Sequence, residues 1–206
     1  MLSNASRDVP STSLRLHPVL EAASRGDLAA WVVAGVPRRE HMARVAGLLD
    51  AWAEALGLPE DDRARWRAAG HLHDALRDER PEALRPQVPA ALRDLPGPLL
   101  HGPAVAARLR REGVDDEELL SAVASHTTGA AGLGTLGLAL YAADYLEPGR
   151  DYGSDAHAGL RARMPGALRE VVRDVAGERV MHALARKLAI HPGTLALWNE
   201  LTAPPR

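Results

Sequence analysis

The sequence predicts an all-α protein folded as a single compact helical domain. Phe is absent and aromatic residues make up only 3% of the 206 residues, which argues against a β-rich core. Ala, Leu and Arg, which are good helix formers, are abundant instead. Apolar residues recur every three or four positions along several segments, as they do on the buried face of amphipathic helices.

Turn residues and this spacing together indicate where the helices lie. Residues 1–16 are polar and without a period, so we expect a flexible N-terminal arm there and the domain itself over 17–206. The predicted helices cover residues 18–34, 38–56, 61–75, one or two short segments within 81–98, segments that begin at His101, at Asp115 or Asp116 and at Thr135, and two or three segments between 154 and 201.

Composition and charge exclude several classes of function. The chain has no cysteine, which rules out disulfide scaffolds, thiolate metal sites and thiol nucleophiles. A formal net charge of −2 gives no general attraction to nucleic acid polymers or to anionic membranes, and neither is an expected partner. The N-terminal segment has no apolar run of signal-peptide length and no later segment reaches membrane-span length, so we expect a soluble, cytoplasmic protein.

Several polar side chains lie on helix faces that are otherwise apolar. The residues concerned are His41, His73, His101, His126 and Asp144. A lone histidine in this setting is more often an ordinary core residue that is hydrogen-bonded to the backbone, but five such positions on different helices suggest a shared partner. Imidazoles and carboxylates without thiolates suit Fe, Mn, Zn or another divalent ion.

The neighbouring pair of His73 and Asp74 is the most informative part of this set. Neighbours on a helix differ by about 100° in direction, so both can reach one site only from a helix end. His71 lies about 200° from His73 and is not expected to bind the same ion. Three further histidines, His17, His157 and His182, lack the apolar-face pattern and are predicted to be solvated or helix-capping.

Taken in order, these residues resemble the metal-dependent HD phosphohydrolase superfamily. The motifs that narrow the resemblance are HLHDALRD at 71–78, HG at 101–102, HTTG at 126–129, ADYLEPGR at 143–150 and IHPGTLALWN at 190–199. They are similar to the YqeK-type HD family, whose members are symmetrical diadenosine tetraphosphate hydrolases. The similarity extends from about residue 38 to residue 201.

The resemblance implies a metal centre and a reaction. His41, His73, Asp74 and Asp144 would bind one divalent ion, and Asp74 would also face a second ion held by His101 and His126. The two ions, Fe or else Mn or another divalent metal, would supply a metal-bound hydroxide that cleaves diadenosine tetraphosphate into two ADP. A homodimer is left open.

Further residues are expected to contact the substrate. Arg77 occupies a position at which the family usually has lysine, and with Arg150 it would neutralise charge on the phosphates, although a surface ion pair is the alternative for each arginine. Substrate-binding roles are expected for Thr127, Thr128, Gly129 and Glu147, and Glu147 could instead orient a ligand histidine. The alternative for the TTG residues is an ordinary helix end.

Two other functions stay open at this point. The chain could hydrolyse another nucleotide, such as a deoxynucleoside monophosphate or a guanosine polyphosphate, because the metal centre would be the same. It could also be a non-catalytic metal-containing module that senses nucleotides. We interpret the segment at His191 and Pro192 as structural, because a proline-initiated helix accounts for it.

Overall fold

The computed structural model describes residues 16–149 and 154–203, and within them the protein consists of helices and contains no strand. This confirms the predicted all-α class. The helices are α1 Pro18–Ser24, α2 Val36–Ala55, α3 Glu60–Leu72, α4 Pro81–Leu84, α5 His101–Arg111, α6 Glu117–Ser125, α7 Thr135–Leu146, α8 Ser154–Arg163, α9 Leu168–Ala185 and α10 Pro192–Thr202. The predicted arm, apart from Leu16, lies outside the described residues.

Helix α7 is the centre of the fold. Every one of its residues from Leu136 to Asp144 is buried, including Tyr141, and helices α2, α6 and α9 pack around it. A helix that is apolar on all sides belongs in the interior of a domain, because no face of it gains from contact with water. Asp144 is therefore a carboxylate placed at the core by the most buried helix of the protein.

Helices α2 and α3 approach each other closely at a glycine. A Cβ atom added to Gly70 would lie 2.5 Å from Ala46 Cα, well inside any normal contact. His41 lies five residues before this contact on α2, and His73 follows three residues after it at the end of α3. The missing side chain thus allows the two histidines to meet between the helices.

The predicted helix over residues 18–34 is wrong in its second half. Helix α1 ends after two turns, where Gly26 adopts a φ of +81°, and the chain continues without helix to α2. The Val33 backbone N–H donates to the Ala75 carbonyl at 2.8 Å, and Gly35 N–H donates to the Asp78 carboxylate at 2.8 Å. This segment therefore braces the turn that follows His73 and Asp74, a long-range contact that local periodicity does not show.

The other helix predictions agree with the structure to within a few residues. The Pro-rich stretch forms α4 and three short 3₁₀ turns, at Arg85–Gln87, Ala90–Leu92 and Gly97–Leu99. Asp116 caps α6 by accepting a hydrogen bond from Leu119 N–H at 3.0 Å. In the described part of the chain from residue 154 onward there are three helices, α8, α9 and α10. None of the described helices combines the length and apolarity that a bilayer crossing requires.

Candidate metal centre

The predicted ligand residues come together from five helices. His41 lies within α2, His73 caps the end of α3 with Asp74 next to it, and His101 is the first residue of α5. His126 caps the end of α6, and Asp144 lies in the last turn of α7. All of the six residues are at least 94% buried, with the largest exposure, 6%, at His41 and Asp144. The HD pair thus reaches the site from a helix end, as its spacing predicts.

One group of ligand atoms surrounds His41 Nε2. This nitrogen lies 3.2 Å from His73 Nε2, 3.2 Å from Asp144 Oδ1 and 3.7 Å from Asp74 Oδ2. His73 Nε2 lies 3.7 Å from the same Asp74 oxygen. We call these four residues the first cluster; two imidazoles and two carboxylates form a donor set suited to a divalent ion.

A second group lies on the other side of the Asp74 carboxylate. His101 Nε2 and His126 Nε2 are 3.0 Å apart, and they lie 3.0 Å and 3.3 Å from Asp74 Oδ1. These three residues are the second cluster. Asp74 therefore turns one carboxylate oxygen to each cluster.

The outer nitrogen of each cluster histidine is engaged by the protein. Nδ1 of His73, His101 and His126 lies 2.8–2.9 Å from the backbone carbonyls of Gly70, Pro98 and Val123, to which it donates. In a neutral imidazole with a protonated Nδ1, Nε2 is an acceptor with a lone pair. The facing Nε2 atoms within each cluster are thus acceptors that repel one another unless a cation lies between them. The donor set fits bound metal.

The protonation states of His73, His101 and Asp74 suit metal ligation as well. Burial lowers the pKa of His73 to about 4 and also lowers the pKa of His101, so both rings are neutral near pH 7. Burial alone would raise the pKa of Asp74, but the neighbouring rings of His73, His101 and His126 hold it below its usual range. Asp74 is therefore ionised, which suits a metal ligand.

Glu147 supports the first cluster from behind. Its Oε1 lies 3.1 Å from His41 Nδ1, and its Oε2 accepts from Arg44 Nε at 2.5 Å and from Gly149 N–H at 2.7 Å. Although burial opposes ionisation, these hydrogen bonds lower the pKa of Glu147 to about 2. The side chain is 3% exposed and does not face the cavity described next. Of the two roles considered for Glu147, its contacts are those of a residue that orients His41.

A cavity of about 870 Å³ opens next to both clusters. Asp74, Asp144, His101 and His126 form part of its wall, beside Arg77, Thr127 and Thr128. Gly129 does not line it; this residue has a φ of +69° and packs against Leu197. Arg150 lies outside the described residues. The volume is in the range of pockets that enclose a small-molecule ligand.

Arg38 and Arg179 also line the cavity, and neither is among the residues predicted from the sequence. Arg38 donates to Asp74 Oδ2 at 2.6 Å, and Arg179 donates to Asp144 Oδ2 at 3.2 Å and to the Thr127 carbonyl at 2.9 Å. Arg38 precedes His41 by three positions on α2, a spacing that puts both on one side of the helix and could have been used. Nothing in the local sequence distinguishes Arg179 from the other arginines.

Two histidine interpretations need correction. His157 was expected to be solvated or capping, but it is buried and lies 3.2 Å from Glu178 and next to the Tyr145 ring. The structural interpretation of the segment at His191 was incomplete, because Ile190, His191 and Thr194 line the cavity. The capping role expected among the remaining histidines is found at His17, whose Nδ1 accepts from Val19 N–H.

Comparison with known proteins identifies the family. Residues 38–149 match the family described as HD domain. Proteins named "Bis(5'-nucleosyl)-tetraphosphatase, symmetrical" from Halalkalibacterium halodurans, Staphylococcus aureus and Bacillus subtilis are 32%, 29% and 42% identical to this chain over 50%, 49% and 33% of its length. The matches cover 54%, 53% and 37% of those proteins, so the chain spans about half the length of the first two curated relatives it matches.

A solved structure shares the fold. The crystal structure of a "predicted HD superfamily hydrolase involved in NAD metabolism" from Clostridium acetobutylicum superposes with a TM-score of 0.72 over 88% of this chain and 94% of that chain, at 23% identity. That similarity concerns the fold alone. The match to the family model over residues 38–149 shows that the chain belongs to the HD domain family.

Proposed function

We propose that the protein is a metal-dependent hydrolase that cleaves diadenosine tetraphosphate symmetrically into two ADP. The observation that carries this proposal is the Asp74 carboxylate, which is shared by two imidazole clusters on the wall of a ligand-sized cavity. A shared carboxylate of this kind is typical of two-metal sites that hydrolyse phosphate esters and anhydrides. The names of the curated relatives point to the substrate.

The two clusters divide the metal ligands between them. The first cluster would hold one ion through His41, His73, Asp74 and Asp144, and the second would hold another through His101, His126 and the remaining oxygen of Asp74. Iron is the metal we propose, with manganese or another divalent ion as the alternative for this nitrogen and oxygen donor set. When bound, such ions neutralise phosphate oxygens and lower the pKa of water.

The charges around the cavity suit a polyphosphate. Two divalent ions and two ionised carboxylates would give a local charge of about +2, since an imidazole that binds a metal ion is neutral. Arg38, Arg77 and Arg179 add guanidinium groups from three parts of the chain. A dinucleoside tetraphosphate carries about four negative charges, which a site of this kind can stabilise although the whole chain has a net charge of −2.

The protein's own side chains would position the substrate. We assign Arg77 and Arg150 to binding the phosphate groups, because a guanidinium group is a donor to phosphate oxygens and not a metal ligand. Thr127 and Thr128 offer hydroxyl groups on the cavity wall next to His126. For symmetrical cleavage the nucleotide has to lie with a central phosphorus at the clusters, so these contacts would decide which bond breaks.

The test is to load the purified protein with iron or manganese, add diadenosine tetraphosphate and separate the products by chromatography. We expect ADP as the sole nucleotide product, loss of activity with a chelator, and no activity for Asp74→Ala although it remains helical by circular dichroism. A product pair of AMP and ATP would contradict symmetrical cleavage. Turnover of a deoxynucleoside monophosphate or guanosine polyphosphate, without turnover of diadenosine tetraphosphate, would favour the other nucleotide hydrolases. Binding without any turnover would favour the sensing module.

A further inference from the structure

The HTTG motif and the HPGT sequence at 191–194 interlock in the structure. Thr194 Oγ1 donates to the Thr128 carbonyl at 2.7 Å. Gly193 packs so tightly against Gly129 that a Cβ atom would collide with the Gly129 carbonyl oxygen. The beginning of α10 is therefore fixed to the segment that directly follows His126, a residue of the second cluster.

This contact fixes His191 in the wall of the same cavity that the clusters face. His191 caps α10, and its Nδ1 accepts a hydrogen bond from Gly193 N–H at 3.0 Å. Because Nδ1 is the acceptor, the proton of the neutral ring is on Nε2. Among the described residues, no group is bonded to that Nε2.

His191 thus has the opposite proton arrangement to the cluster histidines. His73, His101 and His126 donate through Nδ1, which leaves the lone pair of each ring on Nε2, inside the clusters. His191 accepts through Nδ1 and presents an N–H at Nε2, which suits an anion and not a metal ion. The difference arises because Nδ1 of each of those three histidines faces a backbone carbonyl, whereas Nδ1 of His191 faces a backbone N–H.

We propose that His191 is a substrate-contacting residue whose Nε2–H donates a hydrogen bond to a phosphate oxygen of the bound nucleotide. This inference rests on the proposed function only in taking the ligand to be a nucleotide with a phosphate chain. A phosphate oxygen is favoured over a nucleobase because Thr194, three residues after His191, is hydrogen-bonded to Thr128, which follows the cluster residue His126 by two positions, and the phosphates have to lie next to the clusters. Charged acceptors also form the stronger hydrogen bonds.

Two substitutions separate capping from ligand binding. His191→Asn keeps a side-chain acceptor at the helix start, where asparagine is a good cap, but its amide is too short to replace Nε2. His191→Gln places an amide N–H near the former Nε2 position. The control is His17→Asn, because His17 caps α1 through Nδ1, is likewise followed by proline, and does not line the cavity.

The experiment is calorimetric titration of the metal-loaded protein with ADP and, separately, with adenosine. For His191→Asn we expect ADP to bind about 10-fold or more weakly, adenosine affinity and melting temperature to stay unchanged, and His191→Gln to bind ADP more tightly than His191→Asn. His17→Asn should bind ADP like the wild type.

Unchanged ADP affinity in His191→Asn, an equal loss for adenosine, or no ADP binding by the wild type would overturn the inference. Hydrolysis of diadenosine tetraphosphate by the wild type is measured in parallel. If the wild type fails to hydrolyse it while the ADP affinities differ as expected, the proposed reaction is wrong and the role of His191 stands.

Discussion

Glu147 Oε1 lies 3.1 Å from His41 Nδ1 at the back of the first cluster. This carboxylate fixes both the orientation and the tautomer of the ring, so that Nε2 faces Asp144 and His73. The C-terminal end of α7 therefore contributes twice to the site, once through Asp144 and once through Glu147, which directly follows the helix and holds His41.

Replacing Glu147 should weaken metal binding without removing a ligand. We expect Glu147→Ala to lower metal affinity or activity by about 10- to 100-fold, because His41 loses its orienting partner. Glu147→Gln retains an oxygen that can accept from Nδ1 and should lose less. Metal titration followed by activity assay checks both, and wild-type metal affinity and activity in Glu147→Ala would show that His41 needs no such partner.

The close contact between α2 and α3 can be tested at Gly70. Gly70→Ala puts a methyl group 2.5 Å from Ala46 Cα, so we expect a loss of about 1–3 kcal/mol in the free energy of unfolding, together with weaker metal binding as His41 and His73 separate.

Gly47→Ala is the matched control, because nothing lies within 4 Å of its added Cβ. It should instead stabilise the protein by about 0.5–1 kcal/mol, since alanine favours a helix interior. Urea unfolding measures both changes. Equal effects of the two substitutions would mean that the close approach of the helices has no energetic consequence.

An ion pair joins the two helices that end at cluster histidines. Arg65 on α3 donates through Nη2 to Asp116 Oδ1 at 2.7 Å and through Nε to Oδ2, at the start of α6. Although burial opposes ionisation, the hydrogen bonds from Arg65 hold the pKa of Asp116 below its usual value. A depressed carboxyl pKa contributes stability above the unfolded-state value of about 3.9 and loses it as the pH falls through the folded-state value.

Asp116→Asn retains a helix cap but removes this charge. We expect it to cost about 1–3 kcal/mol at pH 7, and the difference from the wild type should begin to shrink below about pH 5. Urea unfolding at several pH values checks this. A difference that stays constant or grows with acidity would contradict a role for the charged form.

Substitution of His71 and of Asp74 should have very different effects on metal content and turnover. His71 is two positions before His73 but is only partly buried, packs near Gly26 and lies outside both clusters. We expect His71→Ala to keep metal content and turnover within a few-fold of the wild type, whereas Asp74→Ala loses both. Metal analysis and product assay of the two variants at equal helicity decide this. Equal losses would show that the clusters are assigned incorrectly.

How much of the fold and of the candidate site the sequence predicts depends on how far apart in the sequence the interacting residues are. Helical periodicity indicated the faces that carry His41 and Asp144, because which face is buried depends mainly on local spacing. The sequence did not predict a role for Arg179, because its contacts with Asp144 and Thr127 join residues that are far apart in the sequence. The irregular segment after α1 was not predicted for the same reason, because its hydrogen bonds are to Ala75 and Asp78.

The central claim is that Asp74 bridges two metal ions. The most direct test is anomalous diffraction from crystals of the metal-loaded protein, with data collected on either side of the absorption edge of the bound metal. We expect two peaks about 3.5–4 Å apart, one beside each oxygen of Asp74, with His41 and His73 at the first and His101 and His126 at the second. A single peak, or two peaks that do not share Asp74, would contradict the account.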